Sequence, residues 1–130
     1  KIFDVVRKKY LILTPEEWVR QNFIHYLNKD KNYPIGLMRV EQIVKYNLMK
    51  TRADIVLYHP EGNPRMIVEC KSPDVKITQD TFYQIAKYNS QLKVDFLVVT
   101  NGMKHFCCEM DYINNNIKFL EDIPSFTLIY

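Results

Sequence analysis

The chain has 130 residues, 47% of them hydrophobic and only three of them glycine, enough apolar material to close a core and too much for a disordered or low-complexity segment. Its formal net charge of +3 is compatible with a polyanionic partner and too small to require one. No apolar run reaches the length of a membrane span and no signal peptide is recognisable, so the sequence reads as one soluble, cytoplasmic domain over residues 1–130. It begins at Lys1 and not at methionine, as expected of a piece of a longer gene product.

In chain order, Thr14-Pro15-Glu16-Glu17 reads as a helix start, with Thr14 as N-cap and Pro15 at the first helical position. Val19, Phe23, Tyr26 and Leu27 supply one apolar face, and the helix should end near Lys29. The loop Asp30 to Gly36 leads to a strand over Met38 to Leu48. Two further strands, Arg52 to Tyr58 and Arg65 to Lys71, are divided by the turn-rich stretch His59 to Pro64. A second helix is expected over Ile77 to Leu92, packing through Phe82, Ile85, Ala86 and Leu92. Val94 to Thr100 is a nearly continuous apolar run, the pattern of a strand covered on both faces. Asn101-Gly102 marks a hairpin turn into Lys104 to Met110, and a last strand follows over Ile117 to Glu121. The order helix, three strands, helix, strand, terminal hairpin predicts an α/β (mixed α+β) fold with a central mixed sheet flanked by helices. The three cysteines, Cys70, Cys107 and Cys108, show no zinc-ligand spacing and read as reduced core or edge thiols. His25, His59 and His105 share no ligand spacing either.

The chemistry concentrates on the middle hairpin. If Tyr58 faces Arg65, regular antiparallel pairing sets Val56 opposite Ile67 and Asp54 opposite Glu69, with Cβ atoms roughly 5 Å apart. Period two then places Lys71 beside Glu69 on the same face. Two carboxylates that close are destabilising unless a proton, a cation or a metal ion compensates them, so the hairpin is expected to ask for a divalent cation. Carboxylate oxygens suit a hard ion, Mg²⁺ or Mn²⁺. Such an ion can polarise a phosphoryl oxygen and lower the pKa of a bound water, with Lys71 orienting that water or neutralising charge in the transition state. The same spacing also fits an ordinary surface hairpin with a solvated Glu69–Lys71 pair worth at most about 1 kcal/mol.

Five segments in order, Pro15 to Gln21 (PEEWVRQ), Arg52 to Val56 (RADIV), Ile67 to Pro73 (IVECKSP), Gln84 to Asn89 (QIAKYN) and Val99 to Gly102 (VTNG), resemble the PD-(D/E)xK nuclease superfamily. The closer likeness is to the N-terminal endonuclease domain of type I restriction enzyme motor (R) subunits. The resemblance implies a restriction-endonuclease-like core and a metal-dependent DNA endonuclease. It places Mg²⁺ on Asp54 and Glu69, with the Cys70 backbone carbonyl as a further ligand, makes Lys71 catalytic, and matches Gln84 and Tyr88 to a supporting Q-x-x-x-Y motif. The chain departs from the family pattern in reading Ala53-Asp54 where the name-giving motif has Pro-Asp. The motor subunits carry a helicase after this region and these 130 residues hold none, so translocation-coupled cleavage is not inferred.

Helix 1 offers a further acid. Glu16 lies one turn below Val19 and Phe23 and is the better aimed at the sheet, whereas Glu17 falls off that face. In the superfamily a helix-1 glutamate often sits near the metal, which would make Glu16 a third catalytic carboxylate; the alternative is an acid that complements the helix dipole, worth about 0.3–1 kcal/mol. Glu41 is expected to be a solvated strand residue. Gln84 and Tyr88, four apart, project from one helical face, where either can hold a phosphate. Lys8, Lys9, Lys45, Lys50, Arg52, Lys87 and Lys93 are of a type to contact phosphates, and none is assigned. The expected partners are DNA, as a dimer where both strands are cut, and other restriction or repair subunits, with no membrane. Two alternatives accompany the nuclease: a non-catalytic DNA-binding or assembly module of the same fold, and a structure-specific DNA repair nuclease.

Overall fold

The computed structural model describes residues 1–129. Before the first expected helix lies a small hairpin, β1 (Ile2–Asp4) and β2 (Lys9–Leu11), which the sequence pattern does not announce because each strand is only three residues long. Its turn is built on Asp4. That fully buried carboxylate accepts from the backbone N–H groups of Val6 at 2.8 Å and Arg7 at 3.0 Å and from the Arg7 guanidinium. Burial pushes the Asp4 pKa up, but the hydrogen bonds from Arg7 and Val6 outweigh it and hold the group below the ordinary 3.8. A depressed folded-state pKa contributes stability that is complete above the ordinary value and is lost as pH falls through the folded-state value. Asp4→Asn is therefore expected to flatten the acid limb of the stability profile below pH 3.8, read as the urea midpoint against pH; parallel acid limbs in the two proteins would contradict this.

Helix α1 (Pro15–Lys29) starts as the sequence dictates, with Thr14 extended and its hydroxyl accepting from the Glu17 N–H at 3.1 Å. Then come β3 (Met38–Tyr46), β4 (Met49–Tyr58) and β5 (Pro64–Cys70), α2 (Gln79–Asn89), β6 (Phe96–Thr100), β7 (His105–Asp111), β8 (Asn116–Leu120) and a short α3 (Phe126–Ile129). Strands β3 to β8 form one sheet in chain order, antiparallel throughout except for the parallel β5–β6 pair, whose crossover carries α2. The expected mixed sheet with helices is thus the observed fold. β3 stops two residues early because Asn47, at φ 53°, turns the chain into β4. Helix α2 begins after a Thr78 N-cap, two residues beyond the expected Ile77, and a single 3₁₀ turn carries it to Leu92.

Strand alternation divides the core in two. On one face Ile55, Leu57, Met66, Val68, Phe96, Val98 and Cys107 pack against Val19, Phe23, Ile24 and Leu27 of α1. On the other, Val56, Ile67, Leu97, Val99 and Cys108 pack against Phe82 and Ala86 of α2. All five residues of β6 are buried, as a strand covered on both faces requires. The adjacent Cys107 and Cys108 point into opposite cores, and all three cysteines are free and buried. Gly102, at φ 85°, lies under α1, where a Cβ would meet Trp18 at 3.1 Å and Val19 at 3.3 Å. Among the described residues no helix is long and apolar enough to cross a membrane.

Two irregularities shape the centre of the sheet. The β4–β5 register pairs Val56 with Ile67 as expected, but a bulge between Leu57 and Tyr58 sets Tyr58 opposite Pro64, not Arg65. Further along, Ala53 and Ile55 lie two apart yet face opposite cores, and so do Val40 and Val44, four apart on β3. Both strands rotate at Glu41 and Asp54, where Glu41 takes the left-handed φ of 55°. Such a backbone costs a glutamate on the order of 1 kcal/mol, and it brings two carboxylates to the end of α1.

Candidate active site

Asp54 stands where β4 rotates. Its Oδ2 accepts from the Cys70 backbone N–H at 2.7 Å and its Oδ1 from Arg20 Nη2 at 3.0 Å. The carboxylate takes the place of a backbone acceptor beyond the last regular pair, Ile55 with Val68, and so fixes Asp54 against the end of β5. Flanking Cys70 are Glu69 on β5 and Lys71 just past its end, joined by an ion pair of 2.9 Å. The side chains of Asp54, Glu69 and Lys71 are 23%, 32% and 40% exposed, open enough to meet a polymer. The Lys71 pKa is raised above the ordinary 10.5, chiefly by its hydrogen bond to Glu69; partial burial opposes this, and the charges of Glu69, Asp54 and Glu16 add to it. Lys71 is an ammonium under the influence of three carboxylates.

Behind this open edge lies a buried charge network. Arg20, at 6% exposure, donates to Glu17 Oε1 at 2.8 Å as well as to Asp54, and lies 3.6 Å from Glu41. Burial works to lower the Arg20 pKa, but Asp54 and Glu17 together raise it. Glu17 also accepts from Gln21 at 2.9 Å and from Arg7 at 3.1 Å, and Glu41 pairs with Arg7 at 3.3 Å and Arg52 at 3.1 Å.

Two expectations are corrected. Glu17, not Glu16, is the helix-1 acid turned inward; Glu16 is exposed, although its charge reaches Lys71. Glu41 is no solvated strand residue but a partner of three arginines. Within the chain, Arg20 pairs with Asp54 and Lys71 with Glu69. Arg7, Arg20 and Glu41 are absent from the expected site. A signal for Arg20 was present: Glu17, Arg20 and Gln21 continue the stripe of Ile24 and Leu27 at helical spacing.

Gln84 and Tyr88 lie on the exposed side of α2, Tyr88 at 53% exposure, and among the described residues no hydrogen bond joins them to Asp54, Glu69 or Lys71. Alanine at either position should change stability by less than about 0.5 kcal/mol. Any loss of cleavage in those variants would then report contact with substrate, whereas unfolding would show a structural role that the exposure denies. The Cys70 thiol is buried and its pKa pushed far up by desolvation, so only its backbone offers chemistry. Among the described residues no three His, Cys, Asp or Glu side chains form a ready metal cage. Magnesium is normally held by one or two carboxylates together with water and substrate phosphate, and the Asp54 and Glu69 oxygens are donors of that kind.

A family model for the type I restriction enzyme R protein N terminus (HSDR_N) matches residues 15–124. A solved fragment of a protein assigned as an HsdR subunit of a type I restriction enzyme, from Vibrio vulnificus YJ016, shares 18% identity with a TM-score of 0.58, over 92% of this chain and 25% of that one. At that identity the likeness shows the fold, and the chain spans about a quarter of that relative's length. No curated protein matches the chain.

Proposed function

We propose that this chain, which belongs to the family of type I restriction enzyme R protein N termini, is a metal-dependent DNA endonuclease domain of PD-(D/E)xK type that hydrolyses phosphodiester bonds. The observation that carries this reading is the junction of β4 and β5, where the Asp54 carboxylate grips the Cys70 N–H between Glu69 and Lys71 on an open edge. Asp54 and Glu69 would hold Mg²⁺ or Mn²⁺, with the backbone carbonyl of Cys70, next to Glu69 in sequence, as a further ligand. Such an ion, when bound, supplies Lewis-acid polarisation of a phosphoryl oxygen and a bound water of lowered pKa. Lys71, as an ammonium, would orient the attacking water and neutralise charge on the phosphoryl oxygens. Arg20 and the Cys70 N–H would keep Asp54 aimed, and Glu16, exposed beside Lys71, would bias the water from the helix side. Gln84 and Tyr88 would meet the DNA from α2. Partner restriction subunits would direct the domain to its target.

A second reading, a DNA-binding or assembly module without turnover, is favoured by one feature: each site carboxylate already has its own cation. Incubation of supercoiled DNA with the protein in Mg²⁺, Mn²⁺ or EDTA separates the two. Nicking in either metal and none in EDTA is expected. A folded protein that binds DNA and never nicks it would establish the module.

A further inference from the structure

The β3–β4 hairpin extends past Asp54, and residues 42–53 carry Lys45, Lys50 and Arg52 with no acidic residue. The register sets Lys45 directly opposite Lys50 and Ile43 opposite Arg52. Cross-strand partners share a face and like charges so placed repel. The other face, with Val44, Met49 and Ala53, is packed into the α2 core, so the hairpin is anchored through one side while the cationic side stands in solvent. Lys45 and Lys50 are exposed, and the Arg52 side chain is 67% exposed. On the cationic face Ile43 is 57% exposed, and Leu48 in the turn is 103% exposed, whereas Tyr46, paired with Met49, belongs to the other face. The row is continuous with the site, since Arg52 pairs with Glu41, and Arg20 lies between Glu41 and Asp54.

We infer that this hairpin is a DNA-backbone arm: Lys45, Lys50 and Arg52 seat the phosphates flanking the bond presented to Asp54, and Leu48 at the tip packs on a sugar or base. The inference rests on the nuclease reading for its choice of DNA as the polyanion. Charge complementarity carries it, because a facing pair of lysines with no carboxylate of its own is relieved by phosphates, and binding then releases counterions with a slope of about 0.9 per duplex phosphate contacted. An acidic protein surface would satisfy the charge without the salt dependence of a duplex.

The test is fluorescence anisotropy of a labelled duplex in EDTA over a salt series. It compares the parent, Lys45→Ala/Lys50→Ala, and a charge-matched control, Lys29→Ala/Lys118→Ala, whose lysines lie at the end of α1 and on the opposite sheet edge. Loss of the arm should weaken binding at least about tenfold at 0.1 M salt and lower the log–log salt slope by nearly 2, with the control near the parent and the melting temperature at or above the parent's. Equal losses in both double variants, unchanged binding in the arm variant, or no duplex binding by the parent would overturn the inference. Metal-dependent nicking by the parent decides the nuclease reading separately. Nicking without an arm effect sinks only the arm, and an arm effect without nicking sinks only the nuclease.

Discussion

Arg20→Met is expected to destabilise the fold by about 3–5 kcal/mol, the usual cost of removing one partner from a buried ion pair. Arg20 is 6% exposed, and its guanidinium separates two carboxylates, Glu17 at 2.8 Å and Asp54 at 3.0 Å. Without it those two charges face each other with less water than either needs. Glu17 keeps Arg7 and Gln21, and Asp54 keeps the Cys70 N–H, so the loss should fall short of complete unfolding. Replacing the charges together, as Arg20→Met with Glu17→Gln, should recover part of it, since paired removal spares the stranded charge. The variant also tests the metal site without reference to catalysis. With Arg20 gone, Asp54 lacks its internal cation, and a metal ion that binds only the folded state raises stability in proportion to the logarithm of its concentration over Kd. Mn²⁺ should therefore raise the melting temperature of Arg20→Met more than that of the parent. An unchanged urea midpoint in Arg20→Met would show that the network does not hold the site together, and the absence of any Mn²⁺ effect would remove Asp54 from the metal ligands.

Most of the fold was legible because its signals are local. Thr14 and Pro15 define the start of α1 by their own chemistry, and the run from Phe96 to Thr100 is apolar at every position but its last because both faces are covered. The Val56–Ile67 pairing was legible because alternation leaves few registers that bury both strands. The site was half legible. Asp54, Glu69 and Lys71 announce themselves by residue type, yet the compensation of Asp54 does not, since it comes from Arg20 on a helix 34 residues away. Ranking Glu16 over Glu17 failed for a specific reason: the face drawn through Val19 and Phe23 omitted Ile24, which is fully buried and lies seven residues, two helical turns, beyond Glu17. The rotation of β3 and β4 was hidden because it depends on a glutamate in a left-handed conformation, which no propensity favours. The charge pattern around Glu41 becomes intelligible only once the strands have turned and the β1–β2 hairpin has brought in Arg7.

Lys71→Ala should lower metal-dependent cleavage by about 10²- to 10⁴-fold, the range for a positioned proton-transfer or charge-stabilising group, while leaving the protein folded. Its side chain is 40% exposed, and its ion pair with Glu69 is the kind worth at most about 1 kcal/mol at a surface. Asp54→Ala cannot give so clean an answer. It strands buried Arg20 and leaves the Cys70 N–H without its acceptor, so lost activity and lost structure would arrive together. Asp54→Asn is the better companion, because the amide oxygen can still accept from Cys70 while the charge that would hold a metal is gone. Lys71→Arg keeps the charge but offers a planar fork in place of a compact ammonium, so it should recover only part of the rate if Lys71 must place one proton donor, and nearly all of it if only net charge matters. A folded Lys71→Ala protein that nicks DNA at the parent rate would remove the lysine from the chemistry, and with it the case for this edge as the active site. Retained folding with the rate lost in Lys71→Ala and Asp54→Asn alike would tie hydrolysis to the junction of β4 and β5.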